Sequence, residues 1–241
     1  MFSMTKQRPD KAMVLAAGMG TRMRELTKDT PKPLIKVCGK PLIDYALDGL
    51  AKAGVETAIV NVHYFADQLE TYLTGRRTPK ILFSDERSQL LETGGGLKKA
   101  GPMLGNDPVF CTNTDAIIVD NADKSGCDKL VEAWDQTNMD ALLLLVPTAV
   151  ASGYDGFGDF DLLDDAIAWR RGKHAAYVFT GLQIISPTLF SNTPDGPFST
   201  RLLWEKAMAK GRLKGVVHDG GWLHVGDPEG LAKAELFFKD G

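Results

Sequence analysis

The sequence predicts an α/β protein: a Rossmann-like, mostly parallel mixed sheet, covered by helices on both faces and extended by antiparallel strands in its second half. Three observations predict it. Up to about residue 150, short apolar runs alternate with segments of helical periodicity, as right-handed βαβ units do. The runs at 108–112 (PVFCT) and 141–146 (ALLLLV) are continuous rather than alternating, which suits strands buried on both faces. From Gly153 the texture changes to short strand-like stretches between glycine-rich turns, the pattern of antiparallel additions.

Taken in order, residues 13–17 (MVLAA) break abruptly into Gly18-Met19-Gly20-Thr21-Arg22, a buried strand feeding a glycine loop. Residues 41–54 place Leu42, Ile43, Ala46, Leu47 and Leu50 on one helical face and stop at Gly54. Residues 57–62 read as a strand, 65–73 as a helix, 80–83 as a strand and 95–104 as a helix. The strands at 108–112 and 141–146 flank a helix over 128–137. Short strands follow at 159–163, 167–171 and 177–186, and helices return at 199–210 and 227–239. No Pro/Ser-rich linker divides the halves and no repeat is visible, so residues 1–241 read as one domain.

With 241 residues, the chain is long enough to bury a substantial core. Its net charge of −3 excludes a broadly basic surface for nucleic acid or anionic membranes, so any positive potential is local. Cys38, Cys111 and Cys127 form no CxxC pair, which argues against a disulfide framework or zinc site and points to a reducing cytoplasm. The opening MFSMTKQRPD reads as a flexible lead-in, with the native start at Met1 or Met4 left open. No run approaches a membrane span.

The chemistry gathers at the glycine loop. Gly18 and Gly20 let successive backbone N–H groups turn towards one point, an anion-binding concavity. Arg22 adds a planar charged fork for phosphate oxygens, and Lys32, stiffened between Pro31 and Pro33, adds a second cation. A Walker loop is excluded because no Gly-Lys-Ser or Gly-Lys-Thr is present; a dinucleotide fingerprint fails because Met23 stands at its third glycine. A polyphosphate on a small ligand is the guest these residues suit.

These segments, LAAGMGTRM with TPKPL, then LETGGG (91–96), NTD (113–115), TGL (180–182) and WLHVGDPEGL (222–231), resemble the sugar-1-phosphate nucleotidyltransferases along almost the whole chain. Such enzymes join a nucleoside triphosphate to a sugar 1-phosphate and release pyrophosphate. The resemblance implies a nucleotide half over about 11–150 and a sugar half over about 151–241. It places the nucleotide on Leu15, Ala16, Ala17, Gly18, Gly20, Thr21, Arg22 and Asn113, with Glu92, Thr93 and Gly94 facing the base. Glycine backbone can approach a flat base closely, although Thr93 also suits an N-cap. Arg22, Lys32 and Asp115 are the expected catalytic residues, and Gly158, Thr180 and Gly181 the expected sugar contacts.

Asp115 is also the expected ligand of Mg²⁺, or of Mn²⁺. The family's second metal carboxylate lies in Trp-x-Asp-x-Gly, where this chain has Trp222-Leu223-His224-Val225-Gly226. His224 thus stands in the ligand's place, and Asp227 three residues on reads either as a replacement ligand or as the N-cap of the last helix. LETGGG and the short length are most similar to members using UTP and N-acetylmuramate 1-phosphate in cell-wall recycling. A mannose- or heptose-1-phosphate guanylyltransferase and a catalytically weak nucleotide-sugar sensor are the alternatives. The implied partners are small molecules, with no nucleic acid and no membrane, and the chain acts as a monomer or small homo-oligomer.

Overall fold

The computed structural model describes residues 8–164 and 166–240, so most of the expected lead-in lies outside the described residues. Strand β1 (Lys11–Leu15) sends Ala12 and Val14 into one apolar cluster and Met13 into another. A strand buried this way on both faces needs helices on both sides. The chain supplies them in alternation. After the small ribbon β2 (Lys36–Val37) and β3 (Lys40–Pro41) come α1 (Leu42–Lys52), β4 (Thr57–Val62), α2 (Ala66–Leu73), β5 (Lys80–Asp85), α3 (Glu92–Leu104) and β6 (Val109–Asn113). Then follow β7 (Ala116–Val119), α4 (Gly126–Ala133), β8 (Ala141–Pro147), β9 (Phe160–Leu163), β10 (Ala166–Trp169) and β11 (Tyr177–Ile185). The chain finishes with α5 (Arg201–Ala209), β12 (Leu213–Val217), β13 (Gly221–His224) and α6 (Pro228–Asp240).

The main sheet runs β5-β4-β1-β6-β11-β8-β12-β10-β9. Strands β5, β4, β1 and β6 are parallel, and β8, β12 and β9 share their direction; β11 and β10 run against it. Leu47 of α1, Leu69 of α2 and Leu130 of α4 pack in one cluster, and Leu97 of α3 and Leu203 of α5 in the other. The expected fold class is therefore the observed one. Among the described residues, no helix is long and apolar enough to cross a membrane.

Three differences from the sequence reading have local causes. Helix α3 starts at Glu92 rather than at residue 95, because the Phe198 carbonyl accepts from the amides of both Gly94 and Gly95 and so caps the first turn from outside. Helix α4 starts at Gly126 because Ser125 and Asp128 close a reciprocal capping box. Strands β7, β12 and β13 are additional: β7 begins immediately after Asp115, and β12 and β13 carry internal or leading glycines that mask their apolar pattern.

Phe110 on the central strand β6 is fully buried in the cluster beneath α1, α2 and α4. Phe110→Ala should lower the unfolding free energy by about 3–5 kcal/mol, read as a shift of the urea midpoint at unchanged slope.

Candidate active site

Strand β1 ends at Leu15, and the next two amides do not face a ligand: Ala16 N and Ala17 N both donate to Asn61 Oδ1, at 2.7 and 3.3 Å. Gly18 is the first residue of the loop with nothing within 4 Å of where a Cβ would sit. Gly20 has a different job. Its φ is +65°, and a Cβ there would lie 2.9 Å from Lys32 Cβ, so the glycine lets the loop pack directly against Lys32. Thr27 Oγ1 donates to the Gly20 carbonyl at 3.0 Å and holds that turn.

Lys32 opens a single 3-10 turn after Pro31, is only 8% exposed, and donates from Nζ to Asp115 Oδ2 at 3.0 Å. Asp115 follows the end of β6, where open α/β sheets place their ligands. Burial opposes its charge, but Lys32, His224 and Arg22 together outweigh burial and hold its carboxyl below the ordinary carboxylate range. The Arg22 side chain is exposed, and its charge also acts on Asp227.

A cleft enclosing about 690 Å³ of open space lies over these strand ends. Of the expected nucleotide residues, Leu15, Ala16, Ala17, Gly18, Glu92, Thr93 and Asn113 line it, together with Lys32 and Asp115. Gly20, Thr21, Arg22 and Gly94 do not line it. The three glycines of LETGGG answer to protein neighbours rather than to a flat ligand: a Cβ on Gly94 would meet the Phe198 ring at 2.5 Å, on Gly95 the Gly196 carbonyl at 2.5 Å, and on Gly96 the Glu86 carboxylate at 2.9 Å. Thr93 is not an N-cap, because it lies inside α3 and its Oγ1 accepts from Thr200 N at 2.8 Å. Glu92 sits at φ +57°, a left-handed conformation uncommon for a non-glycine residue.

A second cleft, about 410 Å³, adjoins the first, and Asn113 and Asp115 belong to both. Thr180, Gly181, Trp222 and His224 line it, as do Tyr154 and Asp159. Thr180-Gly181 forms an irregularity in β11, with the pairing to β8 shifting between Phe179 and Gln183 and Gly181 at φ +94°. Such a bulge bends the strand and re-aims its side chains. Gly158 does not line the cleft: it is a glycine because a Cβ would meet the Ala175 carbonyl at 2.5 Å.

The β7–β13 ribbon sets His224 opposite Ala116, and Val225 N donates to the Asp115 carbonyl at 2.8 Å. The His224 ring stacks on Trp222 with centroids 5.6 Å apart and 9° between planes. Its Nδ1 lies 3.3 Å from the Gly153 carbonyl, which calls for the proton on Nδ1, and Nε2 is left 4.0 Å from Asp115 Oδ2. Asp227 accepts from Gly230 N at 2.9 Å and caps α6, the capping alternative of the sequence.

The glycine loop, the Lys32–Asp115 ion pair and the two adjoining clefts thus gather at the ends of β1 and β6. Residues 11–161 match the nucleotidyl transferase family model. The chain belongs to the nucleotidyl transferase family. Over 235 residues, 95% of this chain and 97% of the relative, it is 47% identical to the N-acetylmuramate alpha-1-phosphate uridylyltransferase of Caulobacter vibrioides. The protein of the same name from Neisseria meningitidis serogroup B is 33% identical over 93% of this chain and 96% of its own. The crystal structure of a UDP-glucose pyrophosphorylase complexed with UDP-glucose superposes with a TM-score of 0.80 over 97% of this chain and 100% of that one; at 18% identity it shows the shared fold.

For this nucleotidyl transferase, sequence reasoning missed Asn61, Glu86, Tyr154 and Asp159. Asn61 carried a signal, being the polar residue in the apolar strand TAIVNV, whereas Glu86 in SDERS looks like any solvated charge. Burial pushes the Asp159 carboxyl above its ordinary value, against the Phe179 amide that donates to it at 2.9 Å and the Arg170 charge. A carboxyl raised in the folded state binds its proton more tightly there, so ionised Asp159 destabilises the fold above the carboxylate range and not below it. Asp159→Asn should therefore unfold at a higher temperature than wild type near neutral pH, with the gap closing as the pH falls through the carboxylate range. A variant less stable at neutral pH would contradict this account.

Proposed function

We propose that the chain transfers a uridylyl group from UTP to N-acetylmuramate 1-phosphate, giving the nucleotide sugar and pyrophosphate, as a step of cell-wall recycling. The observation that carries the reaction class is that two clefts meet at Asn113 and Asp115. A nucleoside triphosphate in the first and a sugar phosphate in the second bring an attacking oxygen and an α-phosphorus to one place. Support for this substrate pair is the 47% identity with the Caulobacter uridylyltransferase.

In this reading a phosphate oxygen of the sugar attacks the α-phosphorus in line, the bond to the bridging oxygen breaks, and pyrophosphate leaves. Positioning and charge do most of the work in such transfers. Lys32, already 3.0 Å from Asp115, and Arg22 neutralise the phosphates. Gly18, Glu92, Thr93 and Asn113 hold the nucleotide, and Thr180, Gly181, Tyr154 and Asp159 the sugar. Asp115 Oδ2 and His224 Nε2 lie 4.0 Å apart, and a carboxylate with a neutral imidazole would be two ligands of a divalent ion otherwise completed by phosphate oxygens and water; among the described residues no group of three or more such side chains is gathered. Mg²⁺ is the expected ion, and Mn²⁺ matches the imidazole better. When bound, it supplies charge stabilisation at the transferring phosphate. Asp227 adds negative charge nearby while its carboxylate caps α6.

The domain reading follows the same division, with 11–150 as the nucleotide half and 151–241 as the sugar half of one nucleotidyltransferase domain. Three free cysteines, two of them buried, suit a reducing cytoplasm. The enzyme would act on small molecules as a monomer or small homo-oligomer.

Pyrophosphate release should be measured with Mg²⁺ across UTP, GTP, CTP, ATP and dTTP against N-acetylmuramate, mannose, heptose and glucose 1-phosphates. The expected result is release with UTP and N-acetylmuramate 1-phosphate above every other pair. A maximum with GTP and mannose or heptose 1-phosphate selects the guanylyl alternative, and nucleotide binding with no release selects the sensor. Arg22→Ala and Lys32→Ala should each lower kcat by roughly 10²–10³, the cost of removing one preorganised charge-stabilising donor; near-wild-type turnover in both would remove these assignments.

A further inference from the structure

Beneath the first cleft, four chain segments are tied together by one buried pair of side chains. Glu86, just beyond the end of β5, is 0% exposed, and Asn61, near the end of β4, is 3% exposed. Asn61 Oδ1 accepts from the amides of Ala16 and Ala17 at 2.7 and 3.3 Å, and its Nδ2 donates to Glu86 Oε1 at 2.8 Å. The other carboxylate oxygen, Glu86 Oε2, accepts from Leu91 N at 3.1 Å. The path thus runs from the start of the glycine loop, through β4 and β5, to the residue preceding α3.

Each group in this path faces a partner of the right kind. The Asn61 carbonyl oxygen faces donors, its amide nitrogen faces a carboxylate, and the second carboxylate oxygen faces a backbone N–H. A buried network satisfied in this way is stiff, since breaking any link leaves a desolvated polar group unmatched. No side chain fits above it: a Cβ on Gly96 would lie 2.9 Å from Glu86 Oε1 and 3.0 Å from Asn61 Nδ2. The third glycine of LETGGG is therefore what allows α3 to lie against the pair. At one end the pair sets Ala16 and Ala17, and hence the entry to Gly18; at the other it sets Leu91, and hence Glu92 and Thr93 on the cleft wall.

We infer that Asn61 and Glu86 are positioning residues that lock the phosphate-binding loop and the base-facing segment into one register, so that a nucleotide is gripped at both ends by a single preorganised unit. Asn61 also lines the first cleft, but its side-chain oxygen and nitrogen are turned to Ala16, Ala17 and Glu86, so the pair acts through Ala16, Ala17 and Leu91. This inference rests on the nucleotide-binding reading of the first cleft.

The test is an exchange of the two side-chain chemistries. Asn61→Asp alone sets carboxylate against carboxylate, and Glu86→Gln alone sets an amide N–H₂ against a donor. The double variant restores every match, because the new carboxylate at position 61 accepts from both loop amides and from the new amide at position 86, whose oxygen accepts from Leu91 N. Each single variant should raise KM for UTP roughly 10-fold or more with a smaller change in kcat, and the double variant should return it to within roughly 3-fold of wild type, as coupled neighbours do.

Amide hydrogen exchange gives a second readout that needs no substrate. Asn61→Asp should speed exchange at Leu91, and Glu86→Gln should speed it at Ala16 and Ala17, each across the pair from the altered side chain. If Asn61→Asp does not fold, Asn61→Ala removes all three of its hydrogen bonds without adding charge and is read for the same exchange at Leu91. Additive losses in the double variant, or exchange confined to the altered side, overturn the inference, as does an unchanged KM in variants that are merely less stable. Absence of pyrophosphate release by wild type would fail the proposed reaction while leaving the exchange arm to decide the coupling.

Discussion

The ion pair between Lys32 and Asp115 is the contact on which the site depends. Nζ and Oδ2 are 3.0 Å apart, with Lys32 buried and Asp115 half-buried. Burial opposes the Asp115 charge, and the carboxyl stays ionised chiefly because Lys32 stands beside it. The pair joins a proline-stiffened turn 83 residues away in sequence to the end of the central strand. Both clefts open from that point, so the sheet, the glycine loop and the β7–β13 ribbon are arranged around a charge that the fold must keep paired.

The glycines of the site illustrate how packing and function share one residue type. Gly20 makes room for Lys32, Gly94 for Phe198, Gly95 for the Gly196 carbonyl, and Gly96 for Glu86. These close approaches bring backbone and side chains to positions that a Cβ would block. Of the loop glycines, Gly18 lines the cleft with open space beside it. The segment 196–200 supports the wall of the first cleft for the same reason, because the Phe198 carbonyl and Thr200 amide hold the first turn of α3 in place.

The second cleft owes its shape to topology. Strand β11 runs against its neighbours β6 and β8, and its irregularity at Thr180-Gly181 lies beside Asn113. Trp222 donates from Nε1 to the Thr180 carbonyl at 2.8 Å and stacks on His224, so one indole fixes both the bulge and the imidazole. A histidine held this way keeps a defined tautomer, and its free nitrogen faces Asp115.

The sequence by itself determined the fold class, because continuous apolar runs alternating with helical periodicity leave few architectures other than a doubly covered sheet. It also marked the loop, Lys32 and Asp115 as residues of one cleft, since glycine spacing, a Pro-Lys-Pro turn and a carboxylate after a buried strand are local features. Only the tertiary structure decided which residues meet. His224 reaches Asp115 through a ribbon register set by residues 116–119 and 221–224, Asn61 reaches Glu86 and the loop through adjacent strand ends, and Asp159 enters the second cleft from the bend just before β9. Those approaches are long-range meetings of polar groups; a single polar residue sets no periodicity in the chain, and its partner is fixed only when folding buries it.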